Sequence, residues 1–207
     1  MLENNSHPQR RSHQHVSQSG AFAVEFALVI VVFLTFVFCV MEVARAMYLW
    51  NTLQEVTRRA ASVAVNTDFT NTSANNSVRQ FAIFRNSPGQ LIMGAPVDDT
   101  YIHIDYMSLA RASDGKLTLE PISLGTLPTS PARNMVACMG DPNSPNCIRF
   151  VRVRICTPTS GFNACNPVPY RPLFPLILAF GLTLPPSTTI SRVETLGYEP
   201  GQLLEPY

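Results

Sequence analysis

The spacing of polar and apolar positions divides the chain into stretches of different rhythm. From Ala21 to Met41 the 21 positions carry one charge, Glu25, and from Phe26 to Met41 they carry none. As a helix rising about 1.5 Å per residue, this run spans about 31 Å, the thickness of a bilayer's hydrocarbon core. It holds no helix breaker and is apolar on every face, which a helix buried in a soluble core rarely is over such a length. A membrane-spanning helix is therefore predicted. After Met41 the pattern turns amphipathic: Ala46, Leu49, Leu53, Val56, Ala60 and Val63 recur at steps of three and four. This predicts a helix running on to about Val65, with Asn66 as its stop. Arg45, Thr52, Glu55, Arg59 and Ser62 fall mostly on its other side, and Glu55 with Arg59 makes an i,i+4 ion pair. Small residues at Ala60, Ala61, Ser62 and Ala64 allow close approach, either of the chain's own domain or of another subunit.

The distal part reads differently. Residues 67–76, rich in Thr, Asn and Ser, predict a loop, followed by a short helix over 77–85. Residues 101–106 alternate, with Ile102 and Ile104 facing inward, and predict a strand. A second strand falls between Cys147 and Cys156, with Val151, Val153 and Ile155 on one face and Arg152 and Arg154 on the other. A third covers 188–195. The apolar residues 172–180 predict a short helix packed on the sheet. Strands with separate helices give an α+β fold: a long N-terminal helix, then a small loop-rich domain with an antiparallel sheet. The implied organisation is 1–20, 21–41, 42–66 and 67–207: leader, membrane segment, amphipathic extension and α+β domain.

Composition sharpens this picture. Charged residues are 14% of the 207, against about 25% in ordinary soluble proteins. No proline lies between Pro8 and Pro88 and no glycine between Gly20 and Gly89, so the helical stretch is uninterrupted. A net charge of +1 with no basic block gives no electrostatic case for nucleic acid. Three of the four histidines stand at His7, His13 and His15, leaving His103 alone in the distal domain. There is no HExxH, no G-x-S-x-G and no phosphate loop, so no catalytic residue, metal or cofactor is predicted and an enzyme is not expected.

Four distal cysteines, Cys138, Cys147, Cys156 and Cys165, stand nine residues apart. In an exported domain they point to two disulfides. A strand from Cys147 to Cys156 holds its ends about 30 Å apart, while a bridge needs Cα atoms within about 7 Å. That excludes Cys147–Cys156 and leaves two pairings. The preferred one joins Cys138 to Cys147 and Cys156 to Cys165, each closing a turn-rich loop. Zinc is the competing reading, but its ligand pairs usually sit closer in sequence.

Glu25 needs its own explanation, since a carboxylate in mid-membrane costs about 2.5–3.5 kcal/mol. It stands fifth counting from Ala21. A cut between Gly20 and Ala21 would leave a new α-amine one helical turn away along the chain. In a helical polymer, the amine of a neighbouring subunit would pair with the carboxylate and set the axial register. The run from Gly20 through Phe26 into the apolar segment resembles the class III prepilin signal of tight-adherence (Flp-type) pilus systems. Arg58-Arg59-Ala60-Ala61 and the stretch from Tyr170 to Glu194 resemble the TadE-like pseudopilins.

The resemblance implies that Gly20 and Ala21 flank a prepilin-peptidase cut and that Glu25, with Phe26 beside it, serves assembly. It implies as partners a membrane prepilin peptidase, other pseudopilins, the major pilin, the inner-membrane assembly platform and the lipid bilayer. The expected location is the bacterial inner membrane, N-terminus cytoplasmic and distal domain periplasmic. Two other readings stand beside it: an unprocessed single-pass anchor carrying a periplasmic interaction module, and a protein released by cleavage after Ala44-Arg45-Ala46.

Overall fold

The computed structural model describes residues 19–173 and 181–199. Its chain divides into two compact units, Met1–Met41 and Glu42–Tyr207. Helix α1, Ser19–Ala64, contributes to both.

In the first unit, α1 carries the apolar run. Phe22, Val24, Phe26, Leu28, Phe33 and Phe36 are each 60–70% exposed. Over the described residues, this is the one helix long and apolar enough to cross a membrane, with a mean hydropathy of 2.8 in its most apolar window.

In the second unit the architecture is α+β, as the sequence predicts. Strands β1 (Ile102–Arg111), β2 (Leu117–Pro121), β3 (Phe150–Ile155) and β4 (Thr188–Arg192) form one sheet in the order β2-β1-β3-β4. Every neighbouring pair is antiparallel. The register places Ile102 opposite Ile155, Ile104 opposite Val153 and Tyr106 opposite Val151. These residues join one core with Leu49, Leu53, Val56, Ala60, Ala61 and Ala64 of α1, all six fully buried. The small alanines thus serve packing within the chain's own domain. A buried hydroxyl network ties helix to sheet: Ser187 Oγ donates to the Leu53 carbonyl at 3.0 Å, and Thr189 Oγ1 to Thr57 Oγ1 at 2.9 Å. At the far end, the Val65 carbonyl accepts from the backbone of Glu194 and Leu196, so the chain leaves β4 to close the end of α1. The strand therefore stops at Arg192, short of the predicted 195.

Helix α2 (Thr72–Ala82) begins earlier than the predicted 77. Asn71 Oδ1 accepts from the Ala74 N–H at 3.0 Å, capping the helix inside what composition marks as loop. Only Val78 and Ala82 need to face the core, so the polar start is no obstacle. Its end is a Schellman motif: Arg85 N–H bonds the Gln80 carbonyl at 3.0 Å and Phe84 N–H the Phe81 carbonyl at 3.1 Å. Phe84 takes the left-handed position at φ 63°, at a cost of about 1–2 kcal/mol. Its ring and that of Phe81 each lie 4.4 Å from the Arg59 guanidinium, a stacked contact that offsets the strain. The predicted Glu55–Arg59 pair accordingly does not form; Glu55 meets Arg58 at 3.7 Å instead.

Two elements have no counterpart in the periodicity. Strand β2 returns through an Asp114-Gly115 turn with Gly115 at φ 83°. Helix α3 (Pro131–Gly140) starts at Ser130, whose hydroxyl accepts from Arg133 N–H. The helix predicted over 172–180 falls mainly on 174–180, outside the described residues.

Candidate assembly site

Gly20, Ala21, Glu25 and Phe26 all lie on the first turns of α1, and all four are exposed. Ala21 and Glu25 are four residues apart, so they share one helix face with about 6 Å of axial rise between them. Among the described residues, nothing lies within 4 Å of the position a Cβ on Gly20 would take. Glu25 is the one acidic residue between Gly20 and Met41, and Phe22, Val24, Phe26 and Leu28 surround it as exposed apolar neighbours.

The four cysteines sit in the second unit, joined as Cys138–Cys147 and Cys156–Cys165 with Cα separations of 4.9 and 5.0 Å. Each bridge braces a loop against the sheet. Beside the first, buried Asn134 accepts from Ile148 N–H at 2.8 Å and donates to the Ile148 carbonyl at 3.3 Å, extending the β3 backbone onto α3. Under the second, Arg152 and Arg154 of the sheet's outer face converge on Asp105 Oδ2 at 3.0 and 2.8 Å. Both also bond Asn163 within the bridged loop. His103 Nε2 bonds the Thr157 carbonyl at 3.1 Å, which puts the ring proton on that nitrogen. Partial burial lowers the His103 pKa below the ordinary histidine value, with the Thr157 bond opposing that shift. These contacts are structural. Among the described residues no group of three or more His, Cys, Asp or Glu is placed to hold a metal.

Arg45, which periodicity assigned to the solvent side, is buried instead in a polar cluster. Arg45 and Glu42 are 4% and 6% exposed, three residues apart, on the face that continues to Leu49 and Leu53. Arg45 Nη1 lies 3.3 Å from Glu42 Oε1 and donates to the Arg171 carbonyl at 2.7 Å. Its Nε donates to the Met93 carbonyl at 3.0 Å. Tyr170 donates its hydroxyl to Glu42 Oε1 and accepts from Arg45 Nη1 at 3.2 Å. Glu42 Oε2 accepts from Leu173 N–H at 3.2 Å. Burial, and then the hydroxyl's bond to Glu42, raise the Tyr170 pKa above the ordinary tyrosine value. Arg45 was expected on the polar side because a charge counts as polar in any amphipathic template. Stepping back from Leu49 by four and then three residues would have found Arg45 and Glu42 on the core face.

Among comparisons with known proteins, the family model described as "TadE-like protein" matches residues 20–62. That span begins at Gly20, immediately before the apolar run, and ends two residues before α1 does. No curated protein and no solved structure matches the chain.

Proposed function

We propose that this chain is a pilin-like minor subunit, a pseudopilin, in the biogenesis of tight-adherence pili. The TadE-like match relates the chain to pilus proteins of the Tad/Flp type. The finer role rests on one observation: the matched segment opens with Gly20-Ala21, and four residues later Glu25 stands alone and exposed in an apolar helix. A membrane-embedded prepilin peptidase cuts between Gly20 and Ala21 with the leader in the cytoplasm. The freed α-amine of one subunit then meets Glu25 of the next. Charges paired in a low-dielectric environment attract strongly, and an unpaired one is penalised, so the pair fixes the stagger between subunits. The distal domain stands in the periplasm, an oxidising compartment suited to both disulfides. Other pseudopilins, the major pilin and the inner-membrane assembly platform are its partners.

Glu25→Ala tests this role. Cleavage should proceed as in the native chain while pilus assembly is lost, scored by piliation in a strain complemented with the variant. Normal piliation would remove the basis for the pairing. Retained piliation with Glu25→Gln, but not with Glu25→Ala, would reduce the role from charge to hydrogen bonding.

A further inference from the structure

Four large apolar side chains stand uncovered at the Glu42 end of the second unit: Ile92 is 59%, Met93 57%, Leu173 54% and Leu182 58% exposed. They come from two loops fastened to the same short piece of α1. The Met93 carbonyl accepts from Arg45 Nε at 3.0 Å and the Ile92 carbonyl from the Tyr48 hydroxyl at 3.4 Å. On the other loop, Leu173 N–H donates to Glu42 Oε2 at 3.2 Å. The Leu182 carbonyl accepts from the N–H of Tyr170, whose hydroxyl is held by Glu42 and Arg45.

The first loop does not expose its residues through slack geometry. The first turn closes with Leu91 N–H on the Val97 carbonyl and Gly94 N–H on the Leu91 carbonyl, both at 2.9 Å. A Cβ on Gly94 would meet Leu91 Cδ2 at 2.6 Å, and Met93 is held at φ 54°, a conformation long side chains avoid. Beside the second pair, the chain is bonded across between Tyr170 and Leu182 and between Val168 and Leu184, at 2.8 Å each. From Pro172 to Leu182 its sequence has no polar side chain.

We propose that Ile92, Met93, Leu173 and Leu182 form a lipid-contacting collar, lodged in the interfacial layer of the bilayer leaflet that α1 leaves at Met41. The occupant follows from chain connectivity. Glu42 directly follows Met41, the last residue of the membrane-length run, so groups bonded to Glu42 and Arg45 lie within side-chain reach of the interface. Tyr48 and Trp50, 41% and 56% exposed, add the aromatic residues that favour this layer. The buried Glu42–Arg45–Tyr170 cluster then has a role beyond holding the fold: it sets the depth of these four side chains relative to the membrane. The collar rests on the reading of residues 21–41 as a bilayer span.

Full-length protein in vesicles of phosphatidylcholine and phosphatidylglycerol, with or without bromine on the acyl chains, tests it by fluorescence. Trp50 is the only tryptophan, so a Trp50→Phe background accepts single reporters at Phe33, Ile92, Leu182 and Met139, each changed to Trp. Met139 serves as the distant control. It lines a shallow pocket with Leu196, whose N–H bonds the Val65 carbonyl, about 35 Å along the helix axis from Glu42. The collar predicts loss of emission in brominated vesicles at Phe33, Ile92 and Leu182, and none at Met139. Quenching at Phe33 without quenching at Ile92 and Leu182 would overturn the collar and leave the membrane span standing. Emission at Ile92 and Leu182 that ignores bromine and reddens as the protein is diluted among lipid would also overturn it, in favour of a second copy. An unquenched Phe33 would take away the span and the collar together.

Discussion

Leu34 and Leu53 lie nineteen residues apart on one unbroken helix, yet Leu34 is 42% exposed and Leu53 fully buried. The two stretches of α1 differ in what the rest of the chain offers them. In the core that Leu53 joins the sheet supplies Ile102, Val151 and Val153, and the hydroxyls of Ser187 and Thr189 bond the Leu53 carbonyl and Thr57 Oγ1 of the helix. Along the apolar run up to Met41 most large side chains stay uncovered, and Glu25 has only apolar neighbours in sequence. Helical pattern alone therefore does not say which surface a helix buries its residues against. An amphipathic stripe finds its partner within the fold, whereas an all-round apolar surface calls for lipid or other helices.

Substitutions should separate the two stretches by what they disturb, and full-length protein unfolded chemically in detergent micelles, followed by near-ultraviolet circular dichroism, gives the scale. Arg45→Ala leaves Glu42 buried without its cation and frees the Met93 and Arg171 carbonyls, so a loss of about 3–5 kcal/mol is expected. Glu42→Gln keeps one carbonyl acceptor for either Tyr170 or Leu173 and leaves no carboxylate buried without its cation, so it should lose less; an equal loss would contradict that ranking. Leu53→Ala should cost about 2–5 kcal/mol through the cavity it leaves, while Leu34→Ala should leave the unfolding of the distal domain unchanged. If both leucine variants destabilised it equally, the contrast between the stretches would fail.

Replacing Cys156 and Cys165 by serine should cost about 2–3 kcal/mol, as expected for a short closed loop, and should loosen the arginines that Asn163 holds. His103 gives the smallest effect. Its pKa is lowered on folding, so its contribution is present above the unfolded histidine pKa of about 6.5 and is lost as pH falls through the folded value. Stability should therefore dip slightly below about pH 6, and His103→Gln should flatten that dip.

Much of this was legible because it follows from period and spacing. Strands with alternating inward Ile and Val, the buried stripe on the distal helix and the sheet-braced cysteines each leave a pattern that local geometry enforces. What stayed hidden depended on partners distant in sequence. Glu42 and Arg45 can be buried because Tyr170, Arg171 and Leu173 arrive from some 125 residues away to satisfy them. Arg59 leaves Glu55 for two rings, one of them on a residue in left-handed geometry. The early start of α2 was masked because an asparagine cap and a polar first turn read as loop by composition, although Asn71 with an acceptor-seeking N–H three residues on was a usable signal. Asp114-Gly115 and Ser130-Pro131 were likewise readable as a hairpin turn and a helix start.

The proximal stretch of α1 must begin with a free amine that can pair with Glu25 of a neighbouring subunit, and that amine exists only after cleavage. Intact-mass measurement of the protein extracted from its native membrane tests this most directly. A chain beginning at Ala21 is the predicted result. A chain still beginning at Met1 would contradict it, since no subunit would then offer an amine at Ala21 to Glu25 of its neighbour.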